Sequence, residues 1–398
     1  MAENKFVPLH EVSSHRIRVD LAAPRFSELT TMGVGGPIEN YVEAQTETEL
    51  IDAIQEADAA GRPLFVLGGG SNTVASDEKF AGTVVRDIRQ EVTLDDDSSC
   101  GGASVTATAG VSWDDFVAYV VNQEWMGVEA LSGIPGTVGA APVQNIGAYG
   151  QEVAETIASV RVWDRLESRA RTLALVDLEL EYRNSILKRS LTDPEVGGGR
   201  TWGPTGRWVV LSVSFQFRHA SLSAPIRYGQ LANALGLKIG ERADSQAVRA
   251  AVLEIRRSKG MVLDDADRDT WSSGSFFTNP IVSDAVAEQL PEDAPRFPVE
   301  NRALSVGIDM QAPTLPGIKK VSAAWLIQHA GFTTGYRLDE GSDAALSSRH
   351  SLAITNRGNA NGDDIIALSD QIRTGVRAKY GIDLHPEPVI IKPSTPSA

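Results

Sequence analysis

The sequence predicts an α+β chain of 398 residues, with two small α/β units in succession and a third α+β unit after them. Three observations predict this. Short apolar runs of strand character alternate with helical amphipathic runs through the first half. Two glycine-rich segments, residues 68–72 and 134–150, interrupt that alternation just after apolar runs. A hydrophobic content of 42% over this length is enough apolar surface for more than one core.

Residues 1–28 read as a leader, and the first unit covers 29–88. Ile38 to Ala44 alternates apolar and polar residues, as a strand does. Thr46 to Ala60 is predicted helical, with Thr46 or Thr48 as cap and Leu50, Ile51 and Ile54 as its apolar stripe. Arg62 to Leu67 is a short buried strand that runs into the first glycine segment, and Thr83 to Arg86 is another strand. The second unit covers 89–222. Ala103 to Gly110 is strand-like, and Ser112 caps a helix through Trp113, Phe116, Val117 and Val120. Glu129 to Gly150 reads as loops around short helical pieces. Strands are expected at 158–164 and 209–218, with Val176 to Glu181 also strand-like. Thr192 to Arg207 holds Pro194, Pro204 and five glycines, and reads as an exposed loop with no site of its own. The third unit, 223–349, carries helices starting at Ser245 and at Ser322. The segment 350–398 supplies a strand at 352–356, a helix at 361–380 and a last strand at 388–391, and is expected to close back onto the second unit.

Composition excludes several classes. A net charge of -15 disfavours nucleic acid and anionic membrane surfaces as partners. No apolar run approaches the length of a membrane span, and the N-terminus has no apolar signal core. Cys100 is the single cysteine, so no intrachain disulfide forms and a cytoplasmic location is expected. The six histidines are scattered without ligand spacing, so no metal site is expected. Nothing calls for an obligate protein partner.

Six segments carry chemistry. Gly68-Gly69-Gly70-Ser71-Asn72 follows a strand, and its glycines would let backbone N–H groups approach a phosphate; a plain surface turn would look the same. It is neither G-x-G-x-x-G nor a P-loop. Ile134-Pro135-Gly136-Thr137-Val138-Gly139-Ala140-Ala141 continues to Gln144-Asn145-Ile146-Gly147-Ala148-Tyr149-Gly150, an apolar stretch suited to wrapping a long nucleotide cofactor or to tight packing in a core. Arg183, in Tyr182-Arg183-Asn184-Ser185 after the 176–181 run, would sit at a strand end, where it either clamps a carboxylate or lies on the surface. Arg256-Arg257-Ser258-Lys259 ends a helix, where the dipole and a bound phosphate are equally good reasons for cations. Ser275, in Ser273-Gly274-Ser275-Phe276-Phe277-Thr278-Asn279-Pro280, has no histidine at triad spacing and reads as a donor, not a nucleophile. Glu387 stands between Pro386 and Pro388, which restrict the backbone around it.

Together these segments resemble one family, the UDP-N-acetylenolpyruvoylglucosamine reductases of peptidoglycan precursor synthesis. The resemblance runs from about Thr30 to Ile391 and is carried by LGGGSN, SGIPGTVGAAPVQNIGAYG, YRNS, SGSFFTNP, AAWLIQHAGF and HPEPVII. It implies the FAD-binding fold of the vanillyl-alcohol oxidase type, two α/β subdomains holding FAD, plus a third α+β domain over the substrate. It also implies the reaction. NADPH reduces a non-covalently held FAD, NADP+ leaves, and UDP-N-acetylglucosamine enolpyruvate takes its place and is reduced to UDP-N-acetylmuramate.

The resemblance further implies site roles. Arg183 would bind the substrate carboxylate, Glu387 would hold and polarise the same end as a protonated acid, and Ser275 would deliver a proton to carbon without a histidine partner. Gly68, Gly69, Gly70, Ser71, Asn72, Ile134, Pro135, Gly136, Thr137, Gly139, Ala140, Asn145, Gly147, Ala148 and Tyr149 would hold FAD. Tyr228, Lys259 and Asn279 would meet the sugar nucleotide, Tyr228 marking the longer family form. The chain departs from the family pattern at His329, at Leu187 and in the insert after Ser190. The competing reading is another FAD-dependent oxidase or dehydrogenase on the same fold; such enzymes often tether FAD through His or Cys, and neither residue type occurs in 67–77 or 132–150.

Overall fold

A computed structural model describes residues 22–300 and 313–392, so most of the expected leader lies outside the described residues. Near the N-terminus a parallel three-stranded sheet forms, with Phe80–Asp87 between Ile38–Ala44 and Leu64–Leu67. The Glu47–Ala59 helix starts where expected because the Thr46 side chain accepts from Glu49 N at 3.1 Å, satisfying one of the orphan amides of its first turn. Its buried Leu50, Ile54 and Ala57 pack on Leu64 and Val85, and also on Trp163, Val209 and Leu211 of the next unit. The first sheet is thereby coupled to the second through one helix.

The second unit is an antiparallel sheet whose central path runs Arg169–Ala174, Ile157–Asp164, Trp208–His219, Gly102–Thr108 and Val92–Ser98. Alternate residues of the central strands (Val105, Val160, Val162, Val213, Phe215) meet Trp113, Phe116, Val117 and Val120 of the Trp113–Asn122 helix in one core. The two outer strands were not expected. Both are sheet edges; Val92–Ser98 carries Asp95, Asp96 and Asp97 and is mostly exposed, a charged edge of the kind that resists edge-to-edge pairing.

In the third unit the Ser245–Ser258 helix is capped by the Asp244 side chain rather than by Ser245, accepting from Ala247 N at 2.9 Å. A small antiparallel sheet sets Thr314–Val321 between Ile281–Ser283 and Arg296–Glu300. The tail departs from expectation. The Gly362–Tyr380 helix buries Ile365, Leu368, Ile372 and Val376 against Leu326, Ile327 and Phe276 of the third unit. Strand Val389–Ile391 then pairs in parallel with Thr73–Ala75 of the first unit, not with the second. Its register places Glu387 beside Asn72, which receives Val389 N on its carbonyl at 2.9 Å and donates its side-chain Nδ2 to Glu387 O at 3.3 Å. Among the described residues no helix is long and apolar enough to cross a membrane.

Candidate active site

A cleft of about 480 Å³ runs between the units. Its floor is the junction of the two glycine loops. A Cβ built on Gly69 would come within 2.7 Å of Gly136 Cα, so the two backbones approach this closely because Gly69 lacks a side chain. Ser71 Oγ fastens the junction by donating to Pro135 O at 2.8 Å.

One wall was not foreseen. The 192–207 segment, expected to be exposed and without a site, lines the cleft with Pro204, Thr205 and Gly206. Arg165 pins it: its guanidinium donates to Thr205 O and Gly206 O at 2.8 and 3.2 Å and pairs with Asp58 of the 47–59 helix. Thr205 Oγ1 accepts from Val66 N at 2.7 Å, which joins the insert to the strand that precedes the first glycine loop.

The opposite end gathers charge. Residues 176–181 are not a strand: Leu175–Leu178 is a short 3-10 helix, Glu179 is left-handed, and Arg183 itself stands at φ 55° in a tight turn. A non-glycine residue there is strained by roughly 1 kcal/mol or more, and the strain aims the guanidinium into the cleft. Arg183 donates to Gly147 O at 2.6 Å and to Asn145 O at 3.2 Å, and pairs with Glu387 at 3.3 Å. Asn145 is buried in the left-handed conformation at φ 42°, and its side chain bonds Glu152 and the carbonyl of Glu181. It therefore builds the turn that supports Arg183 and does not line the cleft. Lys188 donates to Arg183 O at 3.1 Å; burial lowers its pKa, partly countered by Glu387.

Ser275 reaches the same end. Glu387 N donates to Phe276 O at 2.8 Å, and Phe277 forms a bridge with Pro386, so the serine turn and the Glu387 tail are one backbone assembly. Phe276 and Phe277, both at most 2% exposed, anchor it. The expectation that Ser275 lacks a histidine is corrected by the fold: His350 Nε2 lies 3.2 Å from Ser275 Oγ. No local spacing could have signalled that contact, because the two residues are brought together by pairing of distant segments.

The lining also holds a cationic and aromatic corner. Tyr149 and Tyr228 meet edge to face with centroids 5.6 Å apart, and Lys259 Nζ lies 5.8 Å from the Tyr149 ring. Arg256 is buried behind them, donating to Gly133 O and Met261 O. Burial lowers the pKa of both cations, with Arg256 adding to the effect on Lys259. Of the residues expected to bind ligands, Asn145 and Asn279 are absent from the lining and all the others are present. Asn279 Oδ1 instead accepts from Ala323 N at 2.9 Å, at the start of the Ala323–His329 helix. Sequence reasoning missed His350 and Thr205 and left Arg256 ambiguous.

The cleft suits a flat, extended, polar cofactor. A glycine seam lies along its floor, and two buried polar atoms of its lining, Gln144 Nε2 and Ser273 Oγ, have no hydrogen-bond partner among the described residues, as groups reserved for a ligand would. Among the described residues no cluster of His, Cys, Asp or Glu is arranged to hold a metal.

Fold and cleft define a flavoprotein: residues 38–171 match the FAD binding domain family, and the chain is a flavin-dependent oxidoreductase. Residues 265–391 match the UDP-N-acetylenolpyruvoylglucosamine reductase C-terminal domain. Reductases of that name from Cutibacterium acnes and Saccharopolyspora erythraea are each 46% identical to this chain over 363 and 365 residues, covering 91% of this chain and 88% and 93% of theirs. The crystal structure of the Thermus caldophilus UDP-N-acetylenolpyruvylglucosamine reductase shares the fold, with TM-score 0.57 and 21% identity over 93% of this chain and 98% of that one. This chain belongs to the UDP-N-acetylenolpyruvoylglucosamine reductase family.

Proposed function

We propose that Arg183, Ser275 and Glu387 form the substrate-reducing end of the cleft, with Tyr228, Lys259 and Arg256 receiving the diphosphate of the sugar nucleotide. As a member of its family the chain reduces UDP-N-acetylglucosamine enolpyruvate to UDP-N-acetylmuramate, with NADPH as reductant and FAD as cofactor. When bound, FAD would supply the hydride that the terminal carbon of the enolpyruvyl double bond takes up. Along the glycine seam, Gly68 to Asn72, Ile134 to Thr137, Gly139 and Ala140 would hold FAD, with Gly147, Ala148 and Tyr149 beside them.

The chain's own residues manage the charge that then develops. The electron pair of the broken double bond moves onto the neighbouring carbon and its carboxylate. Arg183 binds that carboxylate through a fork already aimed by the Gly147 and Asn145 carbonyls, so little reorganisation accompanies the reaction. Glu387, paired with Arg183 in the resting chain, holds the same end of the substrate. Ser275 gives its hydroxyl proton to the charged carbon: the O–H bond breaks, the C–H bond forms, and the oxygen is reprotonated from solvent. The observation that carries this reading is the convergence of Arg183, Glu387 and Ser275 from three distant segments on one end of a cleft with a glycine seam.

Ser275→Ala tests it. The variant keeps Phe276 and Phe277 and therefore the turn. NADPH should bleach its flavin at the wild-type rate, while the enolpyruvyl substrate should restore the colour roughly 10²-fold more slowly. Recovery at the wild-type rate would make Ser275 a turn residue only.

A further inference from the structure

We propose that His350 is a positioning residue for the proton donor: its Nε2–H donates to Ser275 Oγ and leaves the serine hydroxyl hydrogen free to face the substrate carbon. The proposal rests on the reading of Ser275 as the donor and adds the group that orients it.

The contact is built, not incidental. Ser275 and His350 sit on two segments that run side by side, tied by Phe276 N donating to Leu352 O at 2.7 Å and by a bridge between Ser272 and Thr355. The turn bearing His350 is closed by Ser347, fully buried, whose Oγ accepts from Arg349 N and His350 N at 3.1 and 3.2 Å. That turn hangs on Asp269, which accepts from Ser348 N at 2.9 Å, from Ser348 Oγ at 2.5 Å and from Arg357 at 2.8 Å. His350 also lines the cleft, so the Nε2 to Oγ distance of 3.2 Å is held by two anchored backbones at the place where substrate arrives.

Chemistry selects the direction of the bond. Burial, and then the charges of Lys259 and Arg256, push the His350 pKa down to about 4, so near neutrality the ring is uncharged and carries one N–H. Were Nε2 the acceptor, the serine hydrogen would be spent on the ring and point away from the substrate. With Nε2 as donor, Ser275 is oriented and its hydrogen remains available. Once that proton has gone to carbon, the same N–H faces the negative oxygen left behind and stabilises it. His350 keeps its own proton throughout, so no further acid or base is needed.

The test compares His350→Leu, which fills the space without a donor, with His350→Gln, whose amide N–H can replace Nε2–H. In the holoenzyme, His350→Leu should slow substrate-driven flavin reoxidation about 10-fold or more and leave NADPH reduction unchanged, and His350→Gln should recover most of the loss. Added to Ser275→Ala, His350→Leu should slow the step no further, as for two groups acting as a unit. Nitrogen-15 NMR of histidine-labelled holoenzyme, with the His350 signal assigned by its loss in His350→Gln, should show the Nε2–H tautomer; this reading stands even if the leucine variant fails to fold. Reoxidation of His350→Leu at the wild-type rate, an equal slowing of both half-reactions, or an Nδ1–H tautomer would overturn the proposal while leaving Ser275 as the donor. Wild-type reoxidation in Ser275→Ala would remove the donor itself and this proposal with it.

Discussion

Replacing Arg183 by lysine keeps the charge and removes the fork. The guanidinium divides its donors among Gly147 O at 2.6 Å, Asn145 O at 3.2 Å and the Glu387 carboxylate at 3.3 Å. One ammonium cannot span three acceptors on different segments. A hydrogen bond to a charged group contributes roughly 1.5–3 kcal/mol, and part of that set survives around the ammonium, so the loss at the transition state should be about 2–3 kcal/mol. That corresponds to a fall of roughly 30- to 150-fold in substrate-driven flavin reoxidation. The assay is a stopped-flow experiment that first reduces the enzyme with NADPH and then adds the enolpyruvyl substrate. NADPH reduction should change little, because it does not involve the substrate carboxylate. Arg183→Lys reoxidising within twofold of wild type would refute the claim that the aimed fork, rather than a positive charge in the cleft, stabilises the reaction.

Lys259→Ala should raise the KM for the sugar nucleotide roughly tenfold or more while sparing flavin reduction by NADPH, read by the same two half-reactions; equal damage to both would point to a fold defect around Tyr149. Heat or acid should release FAD intact into the supernatant, since among the described residues the cleft lining contains no cysteine and its one histidine, His350, is engaged by Ser275; flavin retained on the denatured chain would refute this. Asp269→Asn should lower stability at pH 7 by about 2 kcal/mol, measured by urea unfolding. Burial alone would raise the Asp269 pKa, yet the bonds from Ser348 and Ser347 and the Arg357 charge hold it at about 2 against an ordinary 3.8. A carboxylate so depressed stabilises the fold above its ordinary pKa and loses that contribution as the pH falls toward 2, so the gap between variant and wild type should begin to narrow below about pH 4 and close near pH 2. A gap that stays constant down to pH 3 would show that Asp269 acts through shape alone.

What the sequence by itself determined is local, because periodicity, capping and glycine spacing are properties of neighbouring residues. Thr46 caps its helix, Leu50 and Ile54 face inward, and LGGGSN and IPGTVGAA name two backbones able to approach something closely. Their family resemblance leads from there to FAD and to the reaction. Strands with one buried face were legible; the charged edge strand 92–98 was not, since its stability comes from a single neighbour rather than from its own pattern. Arg183 was found as a residue but not as a conformation, because its left-handed backbone depends on packing against Asn145 and Glu387. Asn279, read as a ligand contact, is drawn away by an amide at the start of a helix 44 residues along the chain. Tertiary structure alone decided that the tail strand pairs with Thr73–Ala75, that the 192–207 insert walls the cleft, and that His350 meets Ser275 from 75 residues away. Each is a long-range contact whose chain-closure cost is offset by the cooperative packing of the whole fold, and no single segment carries a record of it.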